Sequence, residues 1–139
     1  MQISARNKIK ATVVSMAEGI VNEKLILLTS RGAQLSSVIT SESAKEMSMQ
    51  EGDTVTVLFK ASHVMLSSTK VDGISARNQL AGTIDNVIKG IVNTEVTLLT
   101  DTGEAIVSII TNESAKELGV VPGNKAVAII KSTDMMIAK

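Results

Sequence analysis

The chain has 139 residues, of which 44% are hydrophobic and 20% are charged, a balance that is typical of a folded globular protein. Its formal net charge of zero provides no overall field that would attract nucleic acid or an anionic membrane, and its single aromatic residue, Phe59, leaves no stacking surface for single-stranded nucleic acid. The absence of cysteine and the presence of one histidine, His63, exclude thiol chemistry and leave few acid–base or zinc mechanisms open.

The hydrophobic pattern of the chain predicts a cytoplasmic protein without membrane spans. The segment Met1–Arg6 lacks the apolar core of a signal peptide. No stretch approaches the roughly 18 consecutive apolar residues that a membrane-spanning helix needs.

The sequence is a tandem repeat with an offset of 71 residues and no gap. The pentapeptide Ile3-Ser4-Ala5-Arg6-Asn7 recurs unchanged as Ile74-Ser75-Ala76-Arg77-Asn78. The segment Glu42–Glu46 likewise recurs as Glu113–Glu117. We therefore predict two domains, residues 1–68 and 72–139, with a polar connector over residues 67–73.

Each repeat alternates apolar and polar residues with the two-residue period of half-buried strands. The pattern predicts strands around residues 9–13, 25–27, 35–39, 55–59 and 64–66, and the second repeat carries the same pattern. Between the third and fourth strands, Thr40 or Ser41 can cap a short helix with Glu42 in its first turn, and Gly119 ends the second copy of that helix. This order predicts an all-β fold of two tandem OB-like Greek-key β-barrels, each with one short helix.

The small size of each repeat predicts association. A unit of about 68 residues buries only a modest core. Its short strands leave open edges, which proteins usually cover. We therefore expect the two domains to pack against each other and against other chains.

Most polar residues that both repeats retain are hydrogen-bond donors or cations. They are Ser4, Arg6, Asn7, Thr40, Ser43, Lys45 and Lys60, with Ser75, Arg77, Asn78, Thr111, Ser114, Lys116 and Lys131. Such a set suits a fully ionised anion, which has acceptor oxygens and no protons. Helix capping would also explain why Thr40 and Ser43 are present, and exposure to solvent would explain Lys60. The evidence for an anion site is therefore that both repeats retain the whole group.

The position of these residues supports an anion site. The segment Ser4–Asn7 precedes a strand, where successive backbone N–H groups can surround an anion. Thr40 and Ser43 lie at a helix start, where free N–H groups favour negative charge. Lys60 follows the fourth strand and can supply one point charge.

Four motifs resemble the molbindin (Mop) domain. They are Ile3-Ser4-Ala5-Arg6-Asn7, Gly19-Ile20-Val21-Asn22, Ile39-Thr40 with Ser43-Ala44, and Lys60-Ala61-Ser62 before Val64-Met65-Leu66. The second repeat matches as closely, for example in Ile110-Thr111 and Ser114-Ala115. The resemblance covers essentially the whole chain and is to di-domain molbindins of the ModG type, whose barrels are of the Mop/TOBE type.

The resemblance implies binding of molybdate, or of tungstate, as an oxyanion, with no organic cofactor and no direct coordination of the metal by side chains. It also implies a homotrimer with six domains around a threefold axis and oxyanions at the interfaces between domains. One site would take Ser4, Ala5 and Arg6 from one domain and Thr40, Ser43, Lys60, Ala61 and Ser62 from a neighbour. The equivalent site would take Ser75, Ala76 and Arg77 with Thr111, Ser114, Lys131, Ser132 and Thr133.

A second kind of site near the threefold axis is also implied by the resemblance. The candidates for it are Gly19, Ile20, Val21 and Asn22, with Gly90, Ile91, Val92 and Asn93. A glycine-containing segment can present backbone N–H groups to an anion. A simple glycine turn into the second strand explains the same residues equally well.

The function that the resemblance implies is storage, buffering or delivery of molybdate in molybdenum homeostasis. The alternative is a regulatory module that senses the oxyanion for a transporter or a transcription factor. A nucleic-acid-binding OB protein is opposed by the neutral charge and the missing aromatics, and an enzyme ranks last because no activated nucleophile or acid–base pair is visible. We expect His63, which aligns with Asp134, to be a surface or packing residue, and methionines such as Met65 to fill gaps in a core or interface.

Overall fold

The computed structural model describes residues 1–139 and contains ten strands and two short α-helices. The first repeat contains β1 (Asn7–Glu18), β2 (Asn22–Thr29), β3 (Gln34–Thr40), α1 (Ser41–Glu46), β4 (Thr54–Phe59) and β5 (Met65–Ser67). The second contains β6 (Asn78–Lys89), β7 (Asn93–Thr100), β8 (Ala105–Thr111), α2 (Asn112–Leu118), β9 (Lys125–Ile130) and β10 (Met136–Ala138). Short 3₁₀ turns over Ala61–His63 and Ser132–Asp134 precede β5 and β10. The predicted order of elements is confirmed.

Each repeat forms an antiparallel Greek-key sheet. The strand orders are β4-β1-β2-β3 and β9-β6-β7-β8, so the fourth strand of each repeat returns to lie beside the first. A β-bulge interrupts each long first strand, between Val13 and Ser15 and between Ile84 and Asn86. Bulges increase bending and twist, and each sheet curls into a half-barrel. The predicted all-β fold class is confirmed.

The short last strand of each repeat lies in the sheet of the other repeat. β5 pairs with β9, with Met65 opposite Ile129, and β10 pairs with β4, with Met136 opposite Leu58. The repeat pattern predicts this strand in the barrel of its own repeat, and the structure corrects that expectation. The exchange covers the edges of β4 and β9 that a separate small sheet would leave open.

The two repeats share one hydrophobic core. The same cluster contains Phe59 and Val64 from the first repeat and Ile130 and Met135 from the second, and all four side chains are fully buried. A shared core is larger than the core that one repeat could form alone. The expected packing of the two repeats against each other is therefore confirmed.

Two buried asparagines hold the repeats together. Asn78 accepts a hydrogen bond from the Ser36 N–H at 2.8 Å and donates to the carbonyls of Ser36 and Ile130 at 2.9 and 3.1 Å. Asn7 makes the reciprocal pair with the N–H and carbonyl of Val107 at 2.8 and 2.9 Å. Both asparagines were identified in the sequence as retained polar residues, and their role here is to link the backbones of the two repeats.

Other reciprocal contacts define an approximate twofold axis between the repeats. The Ser37 hydroxyl donates to the Met135 carbonyl at 2.7 Å, and the equivalent serine of the second repeat makes the equivalent bond at 2.6 Å. His63 Nδ1 and Asp134 Oδ1 lie 3.7 Å apart. Because these two residues occupy equivalent positions of the repeat, the axis passes between them.

Glu104 is a buried carboxylate between the repeats, and only 5% of its surface is exposed. It accepts hydrogen bonds from the hydroxyls of Thr29 in the first repeat and of Thr100 and Thr102 in the second. Burial raises the pKa of Glu104, but the hydroxyl donors lower it more, so the pKa lies below its ordinary value of 4.5. The equivalent position of the first repeat is Ala33, so this network occurs once in each chain.

We expect Glu104→Gln to lower the free energy of unfolding by about 2 kcal/mol at neutral pH, because the hydroxyls lose a charged acceptor. A lowered pKa in the folded state stabilises the fold above the unfolded pKa and loses that contribution as the pH falls through the folded pKa. The unsubstituted protein should therefore lose stability as the pH falls below 4.5, and the variant should lose less. Urea unfolding at a series of pH values measures both effects, and identical pH profiles for the two proteins would contradict the assignment.

Candidate functional site

A cleft of about 310 Å³ between the two repeats is lined by cations and hydroxyl groups. Its lining residues are Lys24, Ser36, Val38, Ser75, Arg77, Lys131, Ser132 and Thr133. Three of them are cations, four carry hydroxyls and none is a carboxylate. This cleft is named the Arg77 site.

Strand pairing assembles the Arg77 site. β6 and β9 pair with Asn78 opposite Ile130, which places the residues just before β6 beside those just after β9. The other repeat supplies Lys24 on β2, which lies opposite Val38 on β3. The 3₁₀ turn after β9 packs against β3. The site therefore exists only because the two repeats are docked.

The floor of the Arg77 site is polar and buried, and its rim is charged. Ser36 and Ser132 are each only 8% exposed, and their hydroxyl oxygens lie 3.1 Å apart. The side chains of Lys24, Arg77 and Lys131 are exposed. A small anion can therefore reach the hydroxyls from solvent while cations surround it.

The structure brings together five of the residues predicted for the second oxyanion site. They are Ser75, Arg77, Lys131, Ser132 and Thr133. The prediction combined residues around Arg77 from one domain with residues around Lys131 from a neighbouring domain. In the structure the two groups of the second repeat already lie side by side, because β6 and β9 are neighbouring strands. Ala76, between Ser75 and Arg77, is buried and does not line the cleft.

Four other predicted residues lie at the starts of the helices. Thr40 Oγ1 accepts a hydrogen bond from the Ser43 N–H at 3.1 Å, and Thr111 makes the same contact with Ser114. These bonds are ordinary N-caps, and the structure selects Thr40 from the two predicted caps, Thr40 and Ser41. Within one chain, none of the four lines the Arg77 site.

The candidates for a threefold-axis site form the β1–β2 and β6–β7 turns. A Cβ atom on Gly19 would lie 2.5 Å from the carbonyl oxygen of Asn22, and one on Gly90 would lie 2.8 Å from that of Asn93, so close backbone approach requires glycine there. At the second turn, the Ile91 side chain is fully exposed and its N–H makes no hydrogen bond within the chain. The turns therefore have a structural role and also present a free donor.

A larger cleft of about 590 Å³ lies between the β6–β7 turn and α2. Lys89 and Lys116 line it together with Glu113 and several apolar side chains. A carboxylate repels an anion, and apolar walls cannot replace its hydration. The smaller Arg77 site is therefore the better oxyanion site.

The positions 71 residues before the Arg77 site contain the first set of predicted residues. They are Ser4, Ala5, Arg6, Lys60, Ala61 and Ser62. Together with Glu95 and Val107, the equivalents of Lys24 and Ser36, they define a location that is named the Arg6 site. Arg6 Nη1 donates to Glu95 Oε1 at 2.8 Å. Glu95 is the repeat equivalent of Lys24.

Two polar residues of the Arg77 site, Lys24 and Ser36, are missing from the sequence prediction. The prediction relied on polar residues that both repeats retain, and the equivalents of these two are Glu95 and Val107. The reversal of charge between Lys24 and Glu95 is the one sequence signal that marks this position.

Two further observations concern other kinds of site. No group of three or more histidine, aspartate or glutamate side chains lies close enough together to hold a metal ion. No helix combines the length and the apolar character needed to cross a membrane.

Comparisons with known proteins agree with this architecture. The model of the TOBE domain matches the chain twice, at residues 3–66 and 74–137. A crystal structure of the cytoplasmic molybdate-binding protein ModG, in a form with molybdate bound, is 40% identical to the chain. It superposes with a TM-score of 0.94, and the match covers 99% of both chains.

Two relatives by sequence are molybdenum-pterin-binding proteins. MopA of Rhodobacter capsulatus is 39% identical over 139 residues, which are 99% of this chain and 52% of MopA. Molybdenum-pterin-binding protein 1 of Clostridium pasteurianum is 50% identical over 64 residues, which are 46% of this chain and 94% of that protein. The chain thus spans about half the length of MopA and about twice the length of the clostridial protein.

The chain belongs to the TOBE-domain family. Within that family it is a di-domain molbindin of the ModG type, as its motifs predict.

Proposed function

We propose that the protein binds molybdate, or tungstate, as an oxyanion at the Arg77 site. The observation that carries the proposal is a cleft between the repeats with three cations, four hydroxyl-bearing residues and no carboxylate among its lining residues. A tetrahedral dianion has only acceptor oxygens, so it needs fixed donors to replace the water that it loses. Lys24, Arg77 and Lys131 supply charge. At the floor the Ser36 hydroxyl, which accepts a hydrogen bond from Ser132 at 3.1 Å, has its own proton to donate to the ligand.

The number of donors is sufficient for useful affinity. A hydrogen bond to a charged partner contributes about 1.5–3 kcal/mol. A handful of such bonds offsets the cost of ordering the ligand and gives micromolar or tighter binding, since about 8 kcal/mol corresponds to a micromolar dissociation constant. Size disfavours the smaller sulfate, and protonated phosphate lacks an acceptor for its proton in a cleft without carboxylates.

The relatives support this proposal. ModG is described as a cytoplasmic molybdate-binding protein, and the solved form contains molybdate. We propose the same cytoplasmic location and a role in storage, buffering or delivery of molybdate in molybdenum homeostasis. The sensing alternative is not favoured, because a solved structure that matches 99% of this chain is named for molybdate binding.

The proposed role is binding without catalysis. The lining of the Arg77 site includes no histidine and no carboxylate, so a bound oxyanion meets no general base. MopA, the clostridial protein and ModG are each named for what they bind and not for a reaction. Neither nucleic acid nor a membrane is part of the proposal.

We also propose that the protein is a homotrimer with six domains. The fully exposed Ile20 and Ile91 at the two turns are apolar side chains that association would bury. In a trimer, Thr40, Ser43, Thr111 and Ser114 would face neighbouring chains and could add donors, and the turns could meet at the threefold axis. Native mass spectrometry should give three times the chain mass of 14.6 kDa, and a monomer at micromolar concentration would contradict this part of the proposal.

Calorimetric titration tests the ligand directly. Ligand-free protein should bind molybdate and tungstate tightly, with little or no heat from sulfate or phosphate at the same concentration. Equal affinity for sulfate would contradict the selectivity, and the absence of binding to all four anions would contradict the function.

A further inference from the structure

The Arg77 site and the Arg6 site share one arginine and one lysine but differ in charge or in hydroxyl content at three positions. Both have a serine, an arginine and a lysine at equivalent places, namely Ser75, Arg77 and Lys131 in one and Ser4, Arg6 and Lys60 in the other. The differing pairs are Lys24 and Glu95, Ser36 and Val107, and Ser132 and Ala61. Each difference removes a donor or a positive charge from the Arg6 site.

Because of the first difference, Arg6 forms an ion pair with the carboxylate of Glu95. Glu95 Oε1 lies 2.8 Å from Arg6 Nη1, and the two side chains are 27% and 50% exposed. At the Arg77 site the same position is Lys24, and no carboxylate lines the cleft. An oxyanion that enters the Arg6 site must therefore displace Glu95 from the guanidinium or tolerate its charge, whereas Arg77 is free to accept the ligand.

The other two differences remove the polar floor. Ser36 and Ser132 are buried with their hydroxyl oxygens 3.1 Å apart, and their equivalents, Val107 and Ala61, carry no hydroxyl. An anion that is partly removed from water needs every such donor. The Arg6 site therefore replaces less of the ligand's hydration than the Arg77 site does.

We infer that the two sites of one chain are unequal and that Glu95 sets the difference. This inference rests on the proposed function. The Arg77 site binds the first oxyanion, and the Arg6 site fills only at higher concentration, when the ligand competes with Glu95 for Arg6. Such a pair of sites would extend the range of concentrations over which one chain buffers the oxyanion.

Matched arginine variants separate the two sites. Both arginines are exposed, so thermal unfolding of Arg77→Ala and Arg6→Ala should match the unsubstituted protein. In calorimetric titrations with molybdate, Arg6→Ala should keep the tightest class of sites, and Arg77→Ala should lose it, with an apparent affinity at least about tenfold weaker. Equal losses in the two variants, or a larger loss in Arg6→Ala, would overturn the inequality.

A rescue experiment assigns the difference to Glu95. The double variant Arg77→Ala with Glu95→Gln retains only the Arg6 site and frees its guanidinium. It should bind molybdate at least about threefold more tightly than Arg77→Ala alone, and an unchanged affinity would overturn the role of Glu95. If the unsubstituted protein binds no molybdate, the proposed function fails, and this inference fails with it; if it binds but the variants behave alike, only the inference fails.

Discussion

Replacing Lys24 by glutamate should weaken molybdate binding by about two orders of magnitude, because the change removes a cation and adds a carboxylate beside Arg77. In the second repeat the equivalent position is Glu95. Its Oε1 accepts a hydrogen bond at 2.8 Å from Nη1 of Arg6, the arginine equivalent to Arg77. The variant thus gives the Arg77 site the charge pattern of the Arg6 site. Calorimetric titration with molybdate measures the effect.

A control for net charge is available in the same chain. Lys70 is exposed in the connector between the repeats and is not among the residues that line the Arg77 site. Lys70→Glu changes the net charge by the same amount and should leave the affinity nearly unchanged. If both variants weakened binding equally, the effect would come from overall charge, and the Arg77 site would not be the ligand site.

The second large effect should come from Asn78→Ala, which we expect to lower the free energy of unfolding by about 3 kcal/mol. The substitution removes three hydrogen bonds and leaves the N–H and carbonyl of Ser36 unpaired between the repeats. Only 3% of the surface of Asn78 is exposed, so water cannot easily replace the amide. Urea unfolding monitored by circular dichroism measures the change.

Asn124→Ala is the matched control. Asn124 is exposed and makes one side-chain hydrogen bond, to the Gly119 carbonyl at 2.9 Å. Losing this hydrogen bond should lower the free energy of unfolding by less than about 1 kcal/mol, because water can take the place of the amide. Similar losses in the two variants would mean that Asn78 does not link the repeats in the way described.

The fold of each repeat could be predicted because its signals are local. The two-residue alternation that places Val55, Val57 and Phe59 on the inner face of β4 depends only on neighbouring residues. The helix ends are local too: Thr40 caps α1, and Gly119, with a φ of 63°, ends α2. Internal duplication then confirmed each assignment in a second copy.

The exchange of β5 and β10 could not be predicted from the residues themselves. The sequences of these strands fit either sheet equally well, since β4 and β9 present equivalent edges. The choice depends on the direction in which the chain leaves the 3₁₀ turns at Ala61–His63 and Ser132–Asp134. Such a direction is a property of the docked pair of repeats and not of a local pattern.

Retention in both repeats predicted part of the site and misjudged another part. It found Ser75, Arg77 and Lys131, which line the Arg77 site. It also selected Asn78, whose amide is occupied by backbone groups, because structural and ligand-binding residues are retained equally well. It missed Lys24, because a residue that distinguishes the two sites necessarily differs between the repeats.

The proposed function requires an oxyanion between the repeats, in contact with Lys24, Arg77 and Lys131 and above the hydroxyls of Ser36 and Ser132. The most direct measurement is a crystal structure of the protein grown with molybdate, with X-ray data collected at the molybdenum absorption edge. We expect an anomalous peak within hydrogen-bonding distance of Arg77 and the hydroxyl groups. An empty Arg77 site in crystals whose molybdenum lies elsewhere, or in crystals that contain none, would contradict it.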